Sequence, residues 1–90
     1  MTDTDTFDRL TAVTNDLLIK HRELGELVAA EKEGRVRGYF EADETSVSAR
    51  EKVADFQVLD LTTDIIRLKA DIAALEVEWK YLMAVFEREL

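Results

Sequence analysis

His21 is the only histidine in the 90-residue sequence, and there is no cysteine. Together these facts remove most of the routes by which a side-chain constellation does chemistry. No thiolate is available as nucleophile, a thiolate–imidazole zinc site has at most one ligand, and a general base of near-neutral pKa has one candidate. His21 lies on a helical stripe with no second imidazole to complete a site, which points to a packing or solvated role. The carboxylates Asp71, Glu76 and Glu78 are oxygen ligands of the type a hard cation takes. A di-metal helical bundle, however, requires Glu-x-x-His pairs that are absent here. These carboxylates read as a solvated face, and neither a metal nor any other cofactor is expected.

The cations are denser near the middle of the chain, at Lys20, Arg22, Lys32, Arg35, Arg37, Arg50 and Lys52, a pattern that can hold an anion. Glu41, Asp43, Glu44 and Glu51 lie among them and neutralise the patch. Twenty acidic residues against twelve basic ones give a formal net charge of −8, which opposes phosphate backbones and anionic lipid over most of the surface. Nucleic acid is therefore not expected as a partner, and a protein partner, preferably basic, is. The start "MTDTDTFDRL" is acidic where a secretory signal needs a basic region followed by an apolar one. No apolar run approaches the roughly 18 residues of a membrane span. The expectation is a cytoplasmic protein without a membrane partner.

Helices must position these residues. There is no proline, and the three glycines all lie between Gly25 and Gly38, so long stretches have no strong helix breaker. Phe7, Leu10, Val13, Leu17, Leu18, Leu24, Leu27 and Val28 recur at helical spacing, which predicts a first helix over about 5–40. Asp43, Glu44, Thr45 and Ser46 favour a turn over about 41–47, and Ser46 or Ser48, the latter with Glu51 in a capping box, can start a second helix. That helix is expected to run unbroken over about 48–89. Ala54, Val58, Leu61, Ile65, Leu68, Ile72, Leu75, Trp79, Leu82 and Phe86 alternate steps of four and three, a heptad seam. At position 79 of that seam the indole reads as core.

The predicted fold is all-α: a single domain over 1–90, an antiparallel helical hairpin of two long helices with coiled-coil packing. Leu59, Ile66 and Ala73 widen the apolar arc beyond what one partner helix covers. A large apolar side chain contributes about 1.5–3 kcal/mol when fully buried, against a total stability of about 5–15 kcal/mol. A homodimer forming a four-helix bundle is therefore expected, with Leu59, Ile65, Ile66, Leu68, Ile72, Leu75 and Trp79 at the oligomer interface. Tyr39, Phe40 and Arg50, beside the turn, are the candidate residues for binding a further protein. The competing expectation for Tyr39 and Phe40 is that they plug the end of the bundle.

The run "HRELGELVAAEK" and the "ARE" at Ala49–Glu51 resemble the all-helical chorismate mutases. That resemblance implies an enzyme gripping a dianionic substrate, with Lys32 and Arg50 at active-site positions. His21 and Val47 stand where that family carries Arg and Asp. "RGYFEADETSVSAREKVADF" followed by "RLKADIAALEVEWKYL", over residues 37–79, resembles small helical coiled-coil proteins of tailed phages and prophages. This implies an accessory or adaptor protein with no enzymatic residues, acting in the host cytoplasm. Asp55, Asp60, Asp64, Asp71, Glu76 and Glu78 allow a third reading, an acidic DNA mimic occupying a basic cleft. The sequence is read as a non-enzymatic, self-associating binding or scaffold module, with a mutase-like enzyme or an acidic mimic as alternatives.

Overall fold

A computed structural model describes residues 3–90. Among them the chain is all-helical: α1 (Asp3–Glu41), α2 (Val47–Gln57) and α3 (Leu59–Glu89), with no strand. α1 matches the length that its stripe predicts. Residues 42–46 form the turn, and Ser46 rather than Ser48 caps α2. Its backbone is extended (φ −90°, ψ 147°), and its Oγ accepts from the Ala49 N–H at 3.1 Å. This satisfies one of the amide donors that a helix start leaves open.

The single helix expected over 48–89 is two helices, interrupted at Val58. Val58 has φ −104° and ψ 12°, outside the helical basin, while its carbonyl accepts the Thr62 N–H at 2.9 Å and so opens α3. The side chain explains the interruption. Val58 is 2% exposed and sits against the bare face of Gly34, where an added Cβ would lie 2.9 Å from its Cγ1. A Cβ on Gly38 would likewise lie 3.1 Å from the Ala54 Cα. Gly34 and Gly38, one turn apart, thus admit Ala54 and Val58, also four apart, into a close helix crossing. The apolar line runs through the break without interruption, because both helices bury the same seam.

The chain divides into two compact units. In the first, Met1–Glu23 with Leu68–Leu90, α1 and α3 run antiparallel, since Phe7 meets Phe86 and Thr14 meets Trp79. The two phenyl rings are 6.0 Å apart and tilted, and the Trp79 indole N–H donates to Thr14 Oγ1 at 3.1 Å. Among the described residues of this unit, Val13, Leu68, Ile72 and Leu82 are the buried apolar ones. Arg9 Nε donates to Glu78 Oε1 at 2.6 Å on the surface, a contact of about 0–1 kcal/mol. In the second unit, Leu24–Arg67, Ala42, Ala54, Val58 and Ile65 are buried around the glycine crossing. Thr62 Oγ1 donates to Glu31 Oε2 at 2.7 Å, fastening the first turn of α3 to α1.

Candidate functional site

In the second unit α1 and α2 enclose a groove of about 440 Å³. Lys32, Arg35, Val36, Tyr39 and Phe40 line it from α1 and Glu51, Ala54 and Asp55 from α2. Both sets follow steps of three and four, so each is one helix face. Ala54, one of the lining residues, is also the residue whose Cα lies close to Gly38 at the helix crossing.

Of the three candidate binding residues, Tyr39 and Phe40 line the groove, and Arg50 joins them through its contact with Tyr39. Tyr39 and Phe40 stack edge to face with centroids 5.5 Å apart. The Arg50 guanidinium lies 5.8 Å from the Tyr39 ring centroid and donates to the Tyr39 carbonyl at 2.9 Å. That hydrogen bond closes off a carbonyl at the end of α1, and the cation adds a favourable charge there. Phe40 is 74% exposed in the single chain, Tyr39 is half-buried, and the buried residue near the turn is Ala42.

Groove electrostatics are largely internal. Arg35 pairs with Asp55 and lies 3.7 Å from Glu31. Of the positions that the mutase resemblance singles out, Arg50 is engaged with Tyr39, and Lys32 lines the groove without an ion pair among the described residues. His21 is exposed. Among the described residues no group of three or more His, Cys, Asp or Glu side chains is placed to hold a metal, and Glu78 instead faces Arg9. No described helix is long and apolar enough to cross a membrane.

The seven expected interface residues separate into two groups. Ile65, Leu68 and Ile72 are buried within the single chain, and Leu75 and Trp79 are half-buried. The chain's own helices cover the first three and, in part, the other two. Leu59 and Ile66 remain 55% and 64% exposed. At 100° per residue they share a face with Ala70, Ala73, Val77 and Ala84, all exposed, on the side of α3 away from its buried seam. Val77 is 70% exposed, and Tyr81 flanks it. Sequence reasoning treated Leu59, Ile66 and Ala73 as a shoulder of the seam and missed Ala70, Val77 and Ala84. The missed signal was a second line with steps of seven, four, three, four and seven.

Compared with known proteins, the chain matches no family model, no curated protein and no solved structure.

Proposed function

We propose that this chain is a non-enzymatic helical scaffold or adaptor. Two copies associate through the outer face of α3, bringing four long helices into one assembly, and the α1–α2 groove is left open to a protein partner. The observation that carries this reading is the second apolar line on α3, which stays exposed after the chain has buried its heptad seam. Leu59, Ile66, Val77 and Tyr81 would each contribute on the order of 1–2 kcal/mol if a partner covered them. That is comparable with the whole stability of a small domain.

The same reading places the protein in the cytoplasm, that of the host if it is a phage accessory protein; a fold without disulfides suits a reducing compartment. Engagement of Arg35 and Arg50 within the chain favours a binding groove over a mutase-like anion site. The test is Ile66→Glu, which puts a charge in the middle of the proposed interface. Light scattering should show the parent as a dimer at tens of micromolar and the variant as a monomer with unchanged helicity. A parent that already runs as a monomer would overturn the proposal.

A further inference from the structure

The outer line of α3 is Leu59, Thr63, Ile66, Ala70, Ala73, Val77, Lys80 and Ala84 in register order, and its symmetry says how a second copy would sit on it. Ala70 and Ala73 occupy the centre, and the larger Ile66 and Val77 flank them on either side. We infer that the occupant is a second copy of this chain, running antiparallel, with the two-fold axis passing between Ala70 and Ala73. The inference rests on the self-association proposed above and deepens it.

In that register Ala70 faces the other copy's Ala73, which lets the helix axes approach towards the short end of the usual 8–10 Å. Ile66 then stacks on the other copy's Val77. A two-fold interface is self-complementary, so every contact occurs twice.

Charge selects the direction. Lys69 and Glu76 occupy equivalent flanking positions, one heptad apart, beside this line. Neither has an ion pair in its own chain among the described residues, and both side chains are exposed. In an antiparallel pair, like flanks face each other. Lys69 of each copy therefore meets Glu76 of the other, giving two reciprocal pairs around the axis. A parallel pair would set Lys69 opposite Ala74 and Glu76 opposite Tyr81, leaving both charges unmatched. It would also put Lys80 directly against its own copy in the apolar line, a like-charge contact in a desolvating position. Antiparallel pairing moves Lys80 opposite Thr63, away from the axis.

Two measurements test the inference. The chain has no native cysteine, so Glu87→Cys, exposed and beyond the paired stretch, carries a single spin label. Antiparallel pairing places the two labels about 47 Å apart along the axis at 1.5 Å per residue. Parallel pairing would hold them side by side, within about 20 Å, which overturns the inference while leaving self-association standing. In the second measurement, Lys69→Glu should weaken the dimer about tenfold, since two attractive pairs become repulsive. The double variant Lys69→Glu/Glu76→Lys should recover to within about threefold of the parent. A double variant as weak as the single one overturns the register. A parent mass of one chain overturns the inference together with the reading beneath it.

Discussion

Replacing Gly38 by leucine should destabilise the protein by about 2–4 kcal/mol, even though leucine is the better helix former. In an open helix the change would gain about 0.8 kcal/mol. Here a Cβ at position 38 would already lie 3.1 Å from the Ala54 Cα and 2.7 Å from the Gln57 Oε1. Gln57 is exposed and can swing aside, but Ala54 Cα belongs to the backbone of α2. Overpacking at such a site costs about 1–3 kcal/mol per modest enlargement, and leucine adds three further carbons in the same crevice. Lifting α2 away would also uncover Val58, 2% exposed in the native chain, whose burial is worth about 1.5–3 kcal/mol. At roughly 4–8 °C per kcal/mol for a domain of this size, the melting temperature should fall by about 8–32 °C. Gly25→Ala is the internal control. A Cβ at Gly25 meets nothing within 4 Å, so that change should raise stability by about 0.5–1 kcal/mol. Circular dichroism melts at a fixed protein concentration read both. A Gly38→Leu variant that melts within about 3 °C of the parent would refute the close crossing and the explanation of the helix break that depends on it.

Ser46→Ala should cost about 1 kcal/mol by removing the cap on Ala49 N–H, seen as a lower urea midpoint with an unchanged slope; no loss would mean that Ser48 caps the helix instead. Arg50→Ala gives up the hydrogen bond to the Tyr39 carbonyl and the contact with its ring, and should lower stability by about 1–2 kcal/mol. An Arg50→Lys variant that restores all of it would show the fork geometry to be irrelevant. Thr14→Val leaves the indole N–H of Trp79, the only tryptophan, without its acceptor. Its emission should shift, and stability should fall by about 0.5–1.5 kcal/mol.

The heptad line was legible because burying one face of a helix requires apolar residues every three or four positions. Ala54, Val58, Ile65, Leu68, Ile72 and Leu82 are all buried. The break at Val58 was not legible, because period reports which residues face the core and not the backbone angles between them. A β-branched residue with no glycine or proline beside it gives no warning. Gly34 and Gly38 were visible but gave no sign of the crossing, since a glycine's value as a place of close approach depends on what packs there. The grouping of Tyr39, Phe40 and Arg50 followed from their position beside a turn. The exposure of Phe40 did not follow, because an aromatic at a helix end serves a core and a surface equally well. The outer face of α3 was half legible: Leu59 and Ile66 stood out by size, whereas Ala70, Ala73 and Ala84 look like ordinary helix formers until their common side is known to be bare.

The central claim is that the bare face of α3 is an interface between copies, and sedimentation equilibrium of the unaltered chain over a concentration series tests it most directly. The account predicts a mass approaching twice the 10.3 kDa of one chain at tens of micromolar, falling towards one chain on dilution as mass action requires. A mass of one chain at every concentration would contradict it.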